Sequence, residues 1–257
     1  MLVHIFGAKC IGIDAVKVTV EVDITMGIGI HLCGLGDIAV KESLLRTITA
    51  LQSLNYHIPG KKIVINLAPA DLHKSGSGYD LPIAIGIIAA SQQRTLPLLG
   101  ETLVMGELGL DGSVRPIKGG LPIADFAAKN GFKKCILPYS SALEASEMDG
   151  IDVYGIRSLE DAFGILEGKE EFDSLKVNTA DFDFSREVQP ISYEVDFSDI
   201  IGQEGAKRAM EIAASGGHNI IMIGAPGSGK SSMAKALAGI LPPMSKSAFF
   251  KTVIFDG

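Results

Sequence analysis

The segment Gly224-Ala-Pro-Gly-Ser-Gly-Lys-Ser231 constrains the fold of this chain more than any other. A loop that binds phosphate needs backbone N–H groups converging on an anion, and glycine lets the chain approach that closely. The apolar run Asn219–Ile223 predicts a strand feeding the loop, and Ser231–Leu241 predicts a helix leaving it. A helix so placed aims its N-terminal amides and its dipole at the same anion. The candidate phosphate-binding residues are Gly224, Ala225, Pro226, Gly227, Ser228, Gly229, Lys230, Ser231 and Ser232. Lys230 suits the β- and γ-phosphates of ATP, and the Ser231 hydroxyl suits a Mg²⁺ ion carried with the nucleotide. ATP and Mg²⁺ are therefore the expected cofactors.

Sixteen residues follow Leu241. Hydrolysis also needs an acidic metal-site strand, a group that positions water and usually an arginine. The stretch PPMSKSAFFKTVIFDG is not expected to supply them. A single predicted strand in residues 196–257 cannot make a parallel sheet covered on both faces. The expectation is a truncated P-loop NTPase segment that holds nucleotide without turning it over, with no catalytic residue of its own.

Ahead of this segment, strand and helix patterns alternate. Ala15–Thr25 alternates apolar and polar positions, as a half-exposed strand does. Ile28–Leu35 is a second apolar run. Asp37 stands where an N-cap should, before helical spacing over Ile38–Leu54. Lys62–Leu67 reads as a buried strand, and Asp80–Ser91 as a buried helix with Asp80 as its cap. Leu103–Glu107 and Ser113–Pro116 read as strands joined by the turn Gly109-Leu-Asp-Gly112. Helices are predicted at Gly119–Asn130, Ser140–Met148 and Ser158–Leu166, with strands at Cys135–Leu137 and Ile151–Gly155. Hairpins mixed with helices argue for an α+β (mixed α/β) fold. Residues 169–195 lose this regularity and read as a linker, after which a helix is expected up to about Ser215.

The net charge of −7 belongs mostly to that linker: residues 169–199 hold nine acidic and three basic side chains, so the remainder is close to neutral. No run of about 18 apolar residues suggests a membrane span, and the N-terminus lacks the pattern of a signal peptide. Cys10, Cys33 and Cys135 form no CxxC pair and are expected to be reduced thiols, which points to a cytoplasmic location.

The chain resembles the ComM/YifB family of magnesium-chelatase-like AAA+ ATPases over roughly residues 1–244. The resemblance rests on Gly34-Leu-Gly-Asp-Ile-Ala-Val-Lys-Glu-Ser43, Asn66-Leu-Ala-Pro-Ala70, Lys74-Ser-Gly-Ser-Gly-Tyr-Asp-Leu-Pro-Ile-Ala84 and Gly106-Glu-Leu-Gly-Leu-Asp-Gly112. Ile201-Gly-Gln203, Gly217-His-Asn219 and the P-loop extend it. It implies a Lon-protease-like (ChlI-type, ribosomal S5 domain 2-like) domain over 1–168, an acidic linker over 169–195, and the N-terminal part of an AAA+ domain over 196–257. It implies further that Ile201, Gly202 and Gln203 lie on the adenine side. The intact protein would be an ATP-driven DNA motor acting as a hexameric ring, with ATP, DNA and further copies of itself as partners. A metal-chelatase ATPase subunit and a non-enzymatic interaction module are the alternatives.

Lon-type proteases use a Ser-Lys dyad, in which the lysine activates the hydroxyl. In the resembling segments the nucleophile's place falls on Gly78 and the lysine's on Pro122, so a protease fold without protease chemistry is expected. Ser77 and Lys118 are the neighbours that a register shift would offer. Gly34–Ala39 fits GxGxxA, but no acidic residue follows at the ribose-binding distance in 52–62, so a tight turn is the preferred reading. The five histidines show no metal-ligand spacing, and His218 is expected to pack or cap.

Overall fold

The computed structural model describes residues 1–257 except 13, 35, 147, 149, 179–194 and 242–257, and leaves aside the side chains of 38, 39 and 41. The described residues divide into two compact units, 1–178 and 195–241. The first contains β1 (Leu2–Ile11), β2 (Asp14–Thr25), β3 (Ile30–Cys33), α1 (Ile38–Ser53), β4 (Lys62–Ala68) and α2 (Asp80–Ala90). It continues with β5 (Thr102–Val104), β6 (Glu107–Leu108), β7 (Val114–Arg115), α3 (Gly120–Lys129), β8 (Lys134–Pro138), α4 (Tyr139–Leu143), β9 (Asp152–Ile156) and α5 (Leu159–Glu167).

Seven strands form one mixed sheet in the order β3-β4-β2-β1-β5-β8-β9. The β1–β2 and β2–β4 pairs are antiparallel, and the other four are parallel. The two halves are buried differently. Along β2, Val18, Val20 and Val22 are fully buried while Thr19, Glu21 and Asp23 on the other face are half-exposed. In β8 and β9 both faces are covered, from Cys135 to Pro138 and from Val153 to Ile156. Antiparallel strands tolerate one wet face and parallel strands are usually covered on both, as β8 and β9 are; the parallel edge strand β3 departs from this, with His31 and Cys33 exposed.

Helix α2 runs against β1 and β2 with nearly every residue buried. Gly86 permits the approach: a Cβ there would lie 2.5 Å from Val22 Cγ2 and 2.7 Å from Ile5 Cδ1. The sequence suggests Asp80 as the cap of this helix, but Tyr79 holds that position. The Asp80 carboxylate instead takes two hydrogen bonds from Arg46 on α1, at 2.8 and 3.1 Å, and one from the Leu108 amide on β6 at 3.1 Å. Burial pushes this carboxyl upward from its ordinary pKa, and the Arg46 hydrogen bond pulls it back.

Several elements differ from their sequence expectation. Strand β1 is not signalled by clean alternation, because Gly7 and Ala8 interrupt it, yet it pairs with β2 from Leu2↔Asp23 to Ile11↔Asp14. The expected strand Leu103–Glu107 splits: β5 joins the large sheet, and β6 turns away to pair only with β7. Helix α4 is shorter than Ser140–Met148. Asp37 does cap α1, accepting from Val40 N–H at 2.8 Å. Ser158 and Asp161 form a capping box on α5, which ends at left-handed Gly168. Packing continues past residue 168: the Phe172 ring lies on Gly164, and Val177 is buried beside β9. The remainder of the expected linker, 179–194, lies outside the described residues.

The second unit holds a 3₁₀ turn (Phe197–Asp199), α6 (Glu204–Gly216) and α7 (Lys230–Ile240). Met210, Ala213 and Ala214 of α6 and Met233 and Ala236 of α7 are its buried side chains among the described residues.

Truncating Asp80 to alanine leaves Arg46 and the Leu108 amide without their buried partner. The expected loss is about 3 kcal/mol, towards the low end for a broken buried pair because Arg46 is partly solvated. Urea unfolding of the wild type and the variant measures it, and an unchanged midpoint would remove this pair from the account of the fold.

Candidate functional site

The P-loop closes onto its own lysine. Lys230 Nζ donates to Gly224 O at 2.9 Å, to Ala225 O at 2.7 Å and to Ser228 Oγ at 3.2 Å. Gly227 and Gly229 have φ of 81° and 82°, a region where side chains are strained and glycine is not. Ser228 N–H closes the turn onto Ala225 O at 3.3 Å. Gly229 is the N-cap of α7 and offers no side chain to it. The first bond of this helix runs from Met233 N–H to Gly229 O at 2.9 Å. The amides of Lys230, Ser231 and Ser232 therefore have no intrahelical acceptor. Three helix-start amides, an ammonium and two exposed hydroxyls, those of Ser231 and Ser232, lie within one turn. That donor set suits a polyphosphate with a divalent cation.

The strand expected at Asn219–Ile223 is not present as a ladder. Ile221 and Ile223 are 84% and 92% exposed, and the described residues of this unit include no strand that could pair with them. Strand geometry depends on a partner, whereas the loop–helix junction needs only its own residues. Ile201, Gly202 and Gln203 form a turn: Gly202 and Gln203 have φ of 77° and 59°, and Gln203 O accepts the Ala206 and Lys207 amides at 2.9 Å each. Ile201 is exposed, and the turn Phe197–Asp199 just before it packs on α7.

The other sequence candidates resolve individually. Ser77 and Lys118 do line one cleft in the first unit, but the Ser77 hydroxyl donates to Glu107, which pairs in turn with Arg115 at 3.6 Å. Gly78 packs near Met105 and Ile117, and Pro122 is buried in α3. At Gly34–Ala39 the α1 N-terminus is filled by Asp37 itself, which also accepts from Gly76 N–H at 3.2 Å. A Cβ on Gly34 would lie 2.6 Å from Leu67 O, so this glycine serves a close chain approach. The His218 amide bonds Ala213 O at 2.9 Å at the end of α6. Among the described residues no group of His, Cys, Asp and Glu is arranged to hold a metal. No helix there is long and apolar enough to cross a membrane. Cys135 is buried, and burial drives its thiol pKa far up; Cys33 is exposed. The sequence marks Cys10 only as a reduced thiol and does not mark Glu144; both flank the Gly119–Gly120 turn, where Cys10 Sγ lies 3.8 Å from Gly119 O and Glu144 accepts from Gly120 N–H at 2.9 Å. Their distance in sequence from the turn, 109 and 24 positions, hides these contacts.

The fold and site define a two-unit chain in which a mixed α/β domain precedes a P-loop followed by its helix. A family described as subunit ChlI of Mg-chelatase matches residues 20–141, and a second described as magnesium chelatase, subunit ChlI, matches residues 196–255. The chain belongs to the magnesium-chelatase-like family of the ComM and YifB proteins. It is 41% identical over 236 residues to the uncharacterized protein YifB of Escherichia coli, covering 91% of this chain and 45% of that one. It is 37% identical over 249 residues to the competence protein ComM of Haemophilus influenzae, covering 95% and 47%. A shorter likeness, 31% over 93 residues, joins 36% of this chain to 20% of the DNA repair protein RadA of Haemophilus influenzae. The chain thus spans about half the length of the ComM and YifB relatives it matches.

Replacing Gly229 by valine forces a branched side chain into the left-handed region, at a cost of roughly 1–2 kcal/mol or more. Binding of a fluorescent ATP analogue with Mg²⁺ is expected to weaken by at least about tenfold. Anisotropy titration reads the effect; equal affinity in the variant would show that this loop conformation is not the one that binds.

Proposed function

We propose that this chain carries the nucleotide-binding element of an ATP-driven AAA+ motor that acts on DNA. The observation that carries the reading is the seating of Lys230 inside its loop, at the start of a helix whose first amides are unpaired. Bound ATP–Mg²⁺ would supply the phosphoanhydride whose cleavage drives movement. Gly224–Gly229 would wrap the phosphates, Lys230 would neutralise the β- and γ-oxygens, and Ser231 would hold the metal. Ile201, Gly202 and Gln203 would border the base. The name of the competence protein ComM and that of the repair protein RadA favour DNA as the track. A hexameric ring is the assembly proposed for the intact protein. For the first unit we propose the ribosomal S5 domain 2-like fold of Lon-type proteases, without their peptidase chemistry, over 1–168, with the acidic stretch up to Val177 packed against it; for the residues from 196 we propose the N-terminal part of an AAA+ domain.

A second reading is favoured by the family descriptions, which name a magnesium-chelatase subunit. In that case ATP would drive metal insertion, and DNA would be neither bound nor moved.

The test compares the 257-residue chain with a version extended to the length of the relatives. The short chain is expected to bind ATP without steady turnover, and the extended one to hydrolyse it and move DNA branches. Lys230→Ala should abolish movement and leave the first unit folded by circular dichroism. Movement that survives Lys230→Ala defeats the motor assignment, and steady hydrolysis by the short chain defeats the division of labour. Neither protein is expected to cleave casein; cleavage lost on Ser77→Ala would restore the protease reading.

A further inference from the structure

A lysine ammonium has three N–H donors and no acceptor. Lys230 finds a matching number of acceptors inside its own loop: Gly224 O at 2.9 Å, Ala225 O at 2.7 Å and Ser228 Oγ at 3.2 Å. These acceptors differ in kind. The two carbonyls belong to the main chain and are fixed by the course of the loop. Ser228 Oγ is a hydroxyl on a rotatable side chain, and its contact is the longest of the three.

The loop holds that hydroxyl in place. Ser228 stands between Gly227 and Gly229, both left-handed, and its amide closes the turn onto Ala225 O at 3.3 Å. The Ser228 backbone is therefore pinned while its side chain turns back towards the start of the loop. A Cβ on Gly224 would lie 3.1 Å from Ser228 Oγ and crowd it. Gly224 is not one of the glycines with positive φ, so its missing side chain serves space rather than backbone conformation.

A phosphate oxygen that binds Lys230 needs one of these donors. Two adjacent carbonyls keep Nζ at the loop, whereas the hydroxyl leaves by a single rotation about χ1. Ser228 is exposed, so a released hydroxyl meets water. An anionic oxygen is also the stronger acceptor for an ammonium.

We infer that Ser228 is the placeholder of the empty phosphate site: its hydroxyl occupies the Lys230 donor that a β- or γ-phosphate oxygen takes over when a polyphosphate enters. The inference rests on the nucleotide reading proposed above and adds to it how the site stands when empty. The placeholder keeps the lysine paired in the unliganded loop, and an entering phosphate must displace it. Ser228 thereby lowers affinity for polyphosphates and favours their release, without touching the hold on a base or ribose.

The experiment titrates the 257-residue chain, Ser228→Ala and Ser228→Thr with a fluorescent ATP analogue and Mg²⁺, read by anisotropy, with unlabelled pyrophosphate and adenosine as competitors. Ser228→Ala is expected to bind the analogue and pyrophosphate about three- to tenfold more tightly, as loss of one net hydrogen bond from the empty state requires, with adenosine unchanged. Ser228→Thr keeps the hydroxyl and should restore the wild-type affinity. A second readout needs no nucleotide. Brief treatment with acetic anhydride, followed by mass spectrometry, should acetylate Lys230 at least about twofold faster in Ser228→Ala than in the wild type or Ser228→Thr. Circular dichroism checks the variants, and Ser228→Cys, similar in size and a weak acceptor, replaces Ser228→Ala if that one is unfolded. A wild type that binds the analogue, with Ser228→Ala no tighter, overturns the inference and leaves the nucleotide reading standing. Tighter binding that Ser228→Thr shares, or that extends to adenosine, overturns it as well, because a general loosening of the loop accounts for both. A wild type that binds neither the analogue nor pyrophosphate defeats the nucleotide reading, and the inference with it.

Discussion

The buried contact between Asp80 and Arg46 is the constraint on which the first unit depends. A carboxylate with no solvent exposure survives only where charge and hydrogen bonds replace its water. Here the replacements come from two directions: Arg46 reaches in from α1, and the Leu108 amide from β6. The Thr47 hydroxyl adds a bond to the backbone carbonyl of Asp80 at 3.3 Å. One residue thus fixes where α1 lies on α2 and where the chain emerges after β5. Because α2 is apolar around its circumference, it has no polar stripe of its own to set its rotation. The Asp80 cluster supplies that orientation, and Gly86 sets the depth against Val22 and Ile5.

The cleft beside β1 follows from the same arrangement. Strand β5 is only three residues long because the chain must turn at Gly106 to deliver Leu108 to Asp80. That turn takes β5 away from β1 after one paired position, and Met105 and Tyr79 cover the strand there: Gly7 lies against Met105, and the Tyr79 hydroxyl donates to Ala8 O at 3.5 Å. Ser75–Tyr79 enters α2 on one side of the opening, and Pro116–Lys118 enters α3 on the other. The opening is therefore a product of the core's own geometry.

What was legible in the sequence was local. Asp37 and Ser158 announced helix starts because a cap needs only a side chain and an amide two or three residues on. The alternation of β2 was readable because only one of its faces is buried. The P-loop was readable because its glycines, its lysine and its helix are contiguous. What was missed was non-local. Strand β1 is held by a ten-residue register with β2 in spite of Gly7 and Ala8. Asp80 looked like a cap until Arg46, 34 positions earlier, proved to be its partner. The splitting of Leu103–Glu107 into two sheets cannot be inferred from its apolar pattern, which is the same on both sides of the break.

The second unit separates these two kinds of information within one site. The loop and the start of α7 adopt their conformation from adjacent residues, with Lys230 bonded to carbonyls five and six positions before it. The run ahead of the loop has the composition of a buried strand, yet Ile221 and Ile223 face solvent. Apolar surface of that kind is stabilised only by neighbours on both faces, as a central parallel strand requires. Affinity for phosphate can therefore reside in a short segment. Steady turnover needs in addition an acidic metal-site strand and a group that positions water, neither of which is part of the phosphate-binding signature itself.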